Sequence, residues 1–155
     1  FVNPTGFRLL IDNMKYKNAQ YFVQTAALPD VSTAGAPLMY KQRNITTMPD
    51  KLEYAPLEVA FLVDEDMINY KEIHDWIVGL ITEPDKKIGR TTYNERKTRD
   101  LTLQILTSHN NVGTQIQFVD AYPISISSLP FTTNATDVEY LTAITSFNYS
   151  YYKFL

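Results

Sequence analysis

Residues 138–153 read VEYLTAITSFNYSYYK (Val138–Lys153). The stretch holds no Gly or Pro, and most of its residues are β-branched, aromatic or small and polar. Such side chains fit the pleated, half-buried surface of a strand. Strands usually run about 5–6 residues, so this one is unusually long. Alternation places Leu141, Ala143, Thr145, Phe147, Tyr149 and Tyr151 on one face and Tyr140, Thr142, Ile144 and Ser146 on the other. The two faces are alike, so alternation alone does not say which is inside.

Working outward, the chain is mostly strand. In Gly6–Asp12, Phe7, Leu9 and Ile11 share a face, and Ala19–Pro29 reads as the partner strand across a hairpin link at Asn13–Asn18. Leu52–Val63 reads as one strand, with Leu57, Val59, Phe61 and Val63 inward and Glu58 and Ala60 outward. Pro56 marks it as an edge or a bulge. Asp100–Ser108 and Thr114–Pro123 form a hairpin across the turn at Asn110–Gly113. There Leu101, Leu103, Ile105, Ile116 and Phe118 face in, and Thr102, Gln104, Gln115 and Gln117 face out. Asp30–Lys51 carries a weak strand signal at Leu38–Ile45 and reads as an extended, partly paired excursion.

The period changes once. Asn69–Thr82 places Ile73, Trp76, Ile77, Leu80 and Ile81 at helical spacing. Asn69 is the expected cap, with Glu72 as its capping-box partner and Pro84 as the stop. The predicted class is mainly β: an antiparallel β-sandwich or barrel with one α-helix, in a single domain over residues 1–155.

Composition narrows the function. Apolar content of 45% and charge of 20% are ordinary for a globular chain of 155 residues. A net charge of −3 argues against a basic nucleic-acid binder. With no cysteine, a disulfide, a thiolate nucleophile and a cysteine metal site are impossible. The five glycines form no phosphate-binding loop, and no apolar run is long enough for a membrane span. No signal peptide is visible, so the Asn-x-Ser/Thr triplets at Asn44, Asn134 and Asn148 read as chance. The chain begins at Phe1 without a Met, which leaves open whether a few residues precede it.

Few residues invite chemistry. Asp64, Glu65 and Asp66 are dense carboxylates, but consecutive strand residues point to opposite faces, so the cluster reads as a solvated strand end rather than a cation site. His74 and Asp75 are helix neighbours that are not expected to face each other, and His109 lies in a turn with no nucleophile elbow beside it. Both histidines read as surface residues. Pro84–Arg99 has six basic residues (Lys86, Lys87, Arg90, Arg96, Lys97 and Arg99) against Asp85 and Glu95. That makes a +4 segment in a −3 protein, with about −7 left for the rest. So lopsided a loop often meets a partner. No cofactor or metal is expected, and the residues point to an interaction or structural protein rather than an enzyme.

The carboxyl-terminal third resembles the tail tube proteins of contractile-tailed phages. There an aromatic strand leads into a Tyr-Pro or Trp-Pro turn, then an Ile/Leu pair, a polar loop and a long strand ending in Phe-x-Tyr. Phe118, Tyr122, Pro123, Ile126, Leu129, Phe147 and Tyr149 match that order. The opening hairpin with Ala27-Leu28-Pro29, and the strand, acidic turn and helix around Trp76, are similar to the same family. Asp30–Lys51 and Pro84–Arg99 do not align, and in the family such segments carry variable contacts.

The resemblance implies a hexameric ring whose subunit strands join into one barrel around a channel. The rings stack into a tube, wrapped by a sheath and started at a baseplate, through which DNA passes without specific binding. It implies a place in the virion tail, assembly in the host cytoplasm and no membrane insertion by this chain. Related proteins include the type VI secretion tube and the baseplate components that start or cap a tube. A metal-dependent hydrolase at Asp64–Asp66 and a stand-alone β-sandwich binding module are the readings from other classes.

Within that picture, alternation nominates Glu58, Thr102, Gln104, Gln115 and Gln117 as channel lining. None is Lys or Arg, the residues that supply non-specific affinity for phosphate. Thr145, Phe147, Tyr149 and Tyr151 are nominated as the subunit boundary, where a strand can have both faces covered. The six basic residues of the loop are nominated to meet the sheath or the next ring.

Overall fold

The computed structural model describes residues 2–12, 22–82, 97–134 and 139–155. Eleven strands and one helix are described: β1 Phe7–Ile11, β2 Val23–Ala26, β3 Val31–Ala34, β4 Leu38–Tyr40, β5 Arg43–Ile45, β6 Lys51–Tyr54, β7 Leu57–Leu62, α1 Ile68–Thr82, β8 Arg99–Leu106, β9 Val112–Ile126, β10 Thr142–Asn148 and β11 Tyr151–Phe154. All their pairings are antiparallel. The main sheet runs β1-β8-β9-β10-β7-β2, with β11 also on β9.

The β8–β9 hairpin forms as expected, but its turn is Thr107–Asn111 rather than Asn110–Gly113, with Val112 and Gly113 already in β9 and Asn110 at φ 60. Asn tolerates that left-handed conformation better than most residues. Among the described residues, β1 and β2 touch but share no ladder, so the expected opening hairpin pairing is absent there. β1 pairs with β8 (Leu9↔Leu103) and β2 with β7 (Ala26↔Val59), so the two segments end opposite sides of the described sheet. Both faces are suitably apolar for either pairing, and tertiary burial selects the longer-range one. The expected link, Asn13–Asn18, lies outside the described residues.

Leu52–Val63 is also not one strand. Ala55 and Pro56 divide it into β6 and β7, which belong to different sheets. Pro56 precedes the first residue of a central strand rather than marking an edge. Likewise, Tyr122 and Pro123 lie inside β9 rather than in a turn. Pro123 sits opposite Phe147 where the β9–β10 register shifts, so its missing N–H falls at an irregularity in the ladder.

The long terminal strand is two strands. β10 pairs with the second half of β9 (Asn148↔Tyr122) and β11 with the first half (Tyr151↔Val119). The interruption at Tyr149–Ser150 faces an irregularity in β9, where Asp120 has φ 54 and donates its N–H to the Asp100 carboxylate at 3.1 Å. The interruption reverses the alternation. Tyr152, not Tyr151, turns inward onto Phe118, at 5.5 Å between ring centroids, and Tyr151 is exposed.

One core collects Leu9 and Ile11 from β1, Leu57, Val59 and Phe61 from β7, and Leu101, Leu103, Ile116 and Phe118 from the β8–β9 hairpin. Ala143 and Phe147 join it from β10, and Ile73 and Trp76 cover it from α1. The Trp76 ring lies 5.9 Å from Phe147, and its N–H donates to the Lys97 carbonyl at 2.7 Å. Asn69 differs from the expected cap. It is buried in the first helical turn, where its amide donates to the Leu62 carbonyl (2.6 Å) and its oxygen accepts from the Asp64 and Tyr70 N–H groups (3.1 and 2.9 Å). It staples the end of β7 to the helix.

Thr145 borders a small apolar void with Leu9, Ile11, Val59, Phe61 and Ile73. Its buried hydroxyl has no hydrogen-bond partner among the described residues. An unpaired buried polar group costs about 1–3 kcal/mol. Thr145→Val keeps the shape and removes that cost. It is expected to raise stability by about 1 kcal/mol and the melting temperature by about 2–4 °C, read by thermal denaturation; an equal or lower melting temperature counts against the assignment.

Candidate assembly surfaces

Three surfaces stand out. The first is the outward face of β1, β8, β9 and β11. Register aligns Arg8, Gln104 and Gln115 in one row and Leu10, Thr102, Gln117 and Lys153 in the next. Gln104 lies 3.4 Å from Gln115, amide to carbonyl, and Gln117 donates to the Asp100 carboxylate at 3.2 Å. Four of the five nominated lining residues therefore share one polar patch. Glu58 does not. It points outward from β7 opposite Ser146, separated from β9 by β10. Arg8 and Lys153 flank the patch, a contribution the hairpin alone could not reveal, because β1 and β11 join it only through long-range pairing.

The second surface is an arm. The excursion after Pro29 is paired throughout much of its length. β3 and β6 form one ladder (Val31↔Tyr54, Ala34↔Lys51), and β4 and β5 form another at the tip (Leu38↔Ile45). Thr47 joins the two by donating to the Ala36 carbonyl at 2.8 Å. The tip turns through Lys41 and Gln42 at φ 42 and 66, the signs of a two-residue type I′ loop built without glycine. Leu38, Met39, Tyr40, Ile45, Met48 and Leu52 are all exposed along it.

The third is the aromatic root of that arm. Tyr54, Tyr149, Tyr152 and Phe118 form a cluster, with Phe118 5.0 Å from Tyr149 and Tyr54 5.5 Å from Tyr152. Burial pushes the Tyr149 phenol from its ordinary 10.0 up to about 12, and the neighbouring Tyr152 and Tyr54 phenols add to the effect. The neutral phenol is thus favoured in the folded chain. Its stabilising contribution is whole below pH 10 and is lost as the pH rises from 10 towards 12. In a phenolate-absorbance titration, Tyr149 is expected to ionise late in the native protein and with the other tyrosines once the chain is unfolded. A Tyr149→Phe variant identifies the late component, and native titration of all eleven tyrosines together near 10 would contradict it.

The nominated boundary residues divide. Thr145 and Phe147 are 1% and 2% exposed in the subunit's own core, so they offer no surface to a neighbour, which corrects that assignment. Tyr149 belongs to the arm root, and Tyr151 is on the outside. The basic group divides too. Lys97 packs at the end of α1, donating to the Leu80 carbonyl at 3.3 Å, and Arg99 is buried at the start of β8 with a bond to the Thr98 carbonyl. Neither is part of a free loop. Lys86, Lys87, Arg90 and Arg96 lie outside the described residues.

Asp64 and Asp66 belong to the tight turn before α1, where the Asp64 carboxylate accepts the Glu65 N–H at 2.8 Å and its carbonyl accepts the Met67 N–H. His74 and Asp75, against expectation, do meet, at 3.3 Å on the exposed helix surface. Among the described residues, no helix is long and apolar enough to cross a membrane.

The sequence model of the family described as phage tail tube protein matches residues 4–155. The chain belongs to the phage tail tube protein family. It is thus a structural protein of a tail tube. Solved structures carry the same fold. A chain of an extracellular contractile injection system (PVC) sheath–tube complex in its extended state superposes with TM-score 0.69 at 12% identity, covering 100% of this chain and 91% of that one. The tube terminating cap of the anti-feeding prophage gives 0.70 at 12%, over 100% and 91%. Hcp1 from Flavobacterium johnsoniae gives 0.54 at 12%, over 99% and 94%. No curated protein matches the chain. At such identities the likeness speaks for the tube fold alone, and tube-specific contacts must be sought in this family member's own residues.

Proposed function

We propose that this chain assembles with copies of itself into hexameric rings that stack as a tail tube. The observation that carries the reading is the arm. An isolated two-stranded ribbon is marginally stable in water, yet this one presents Leu38, Met39, Tyr40, Ile45, Met48 and Leu52 to solvent. Exposed apolar groups gathered on one element mark a contact surface. The arm is the contact with a neighbouring copy.

In this assembly the face bearing Thr102, Gln104, Gln115 and Gln117 lines the channel. Amides and hydroxyls keep it wet, and its cations, Arg8 and Lys153, stand at its margins with Asp100 on the same face. A lining made mostly of amides and hydroxyls, with Asp100 beside its two cations, limits the Lys and Arg contacts that would hold DNA. Tyr151 lies outside, available to a neighbour. Sheath and baseplate proteins complete the partners, in a virion tail assembled in the host cytoplasm.

Negative-stain images of the purified protein test the reading. Hexameric rings or tubes are expected, and a strictly monomeric protein across concentrations and buffers overturns it. Images at side-chain resolution then place Gln104 and Gln115 at the lumen or refute the lining. The likeness to a tube terminating cap supports a second reading, a ring that starts or caps a tube, and such a protein would form single rings that refuse to stack.

A further inference from the structure

We infer that Tyr149 and Tyr152 are positioning residues that clamp both legs of the arm at its root and set the direction in which it leaves the sheet. The arm's ladder begins at Val31↔Tyr54. Immediately outside that pair, the Tyr149 hydroxyl donates to the Ala55 carbonyl at 2.6 Å, and the Tyr152 hydroxyl donates to the Pro29 carbonyl at 3.3 Å. Each tyrosine therefore holds one leg. The legs are joined between these points by the Ala55 N–H on the Asp30 carbonyl at 3.1 Å.

The rings make the clamp stiff. Tyr54 on the arm stands edge-on to both Tyr149 (5.8 Å) and Tyr152 (5.5 Å), and Phe118 of the core backs both tyrosines at 5.0 and 5.5 Å. Edge-to-face geometry restricts how far each ring can tilt. The arm's strands form two small sheets of their own, separate from the main sheet. Without anchorage at the root, a ribbon of this kind would sample many directions, and each copy would lose that freedom on docking. Fixing the root beforehand removes part of that cost. The break at Tyr149–Ser150 has a purpose in this light: Tyr149 and Tyr152 both reach the arm root, one from each side of it.

The inference rests on the arm being a contact between copies, and the test separates the two. Tyr149→Phe/Tyr152→Phe keeps the rings and deletes both hydroxyls. Tyr70→Phe is the control, since the Tyr70 hydroxyl donates to the Ser127 carbonyl at 3.1 Å, away from the arm. Hydrogen exchange is measured on dilute monomers, and assembly is measured separately by sedimentation. In the double variant, the arm amides that face the partner leg, Ser32 and Glu53, are expected to exchange roughly ten-fold faster, with core amides of β8 unchanged. Its assembly midpoint should move to at least roughly ten-fold higher concentration. Tyr70→Phe should lower stability without either effect. Unchanged arm exchange overturns the clamp, as does equal loss of assembly in the control. If the wild type itself fails to assemble, the proposed function fails, while the exchange result still judges the clamp.

Discussion

Met39→Glu/Met48→Glu is expected to leave the subunit folded and to abolish ring formation. Met39 and Met48 are 81% and 91% exposed, so neither contributes much to the isolated fold. Surface changes of this kind usually alter stability by within about 0.5 kcal/mol. In an interface the same side chains are worth far more. A thioether on a flexible stem fills irregular gaps well, and a central contact residue typically costs about 2 kcal/mol or more when lost. Two such losses weaken association by roughly a thousand-fold, before the repulsion and desolvation of two new carboxylates are added. Sedimentation velocity over a concentration series reads the outcome, with circular dichroism confirming the fold. Rings at the wild-type concentration would remove the arm from the assembly.

Phe147→Ala is expected to have the opposite profile: a large loss of stability and no direct effect on assembly. Phe147 is 2% exposed and packs on Trp76. Truncating a buried Phe costs about 3–5 kcal/mol, against a typical total of about 5–15 kcal/mol. The midpoint of urea unfolding, followed by the fluorescence of the single Trp, should fall accordingly. At a temperature where the variant remains folded, it should still form rings. A folded variant that cannot assemble would return Phe147 to the subunit boundary. Thr145→Lys belongs to the same class: it forces an ammonium into an apolar void, so unfolding, rather than blocked assembly, is the expected failure.

These two profiles mark where alternation was informative and where it misled. Along β8 and β9 each strand has one buried and one solvated face, and alternation assigned Leu101, Leu103, Ile116 and Phe118 inward and the amides outward as the structure has them. Along the terminal stretch both faces are apolar or small. The same rule there grouped Thr145 and Phe147 with Tyr151 and offered all three as a boundary. One break at Tyr149–Ser150 separates them, because every residue beyond an interruption can change face. Lys97 and Arg99 looked like part of a solvated basic run, and only the tertiary structure shows Lys97 held against α1 by the Leu80 carbonyl and Arg99 buried with a bond to the Thr98 carbonyl.

By itself, the sequence determined the kinds of element and much of their inward faces. A 3.6-residue period around Trp76 and a two-residue period elsewhere are written locally, and local periodicity is sufficient to read them. The tertiary structure decided which strands pair, where the long strand breaks and what the terminal tyrosines hold. β1 suits either β2 or β8 in composition, so its choice depends on the burial summed over the whole core. Tyr149 and Tyr152 reach Ala55 and Pro29 across most of the chain, and no local pattern encodes a contact whose two halves are set by separate folds of the backbone.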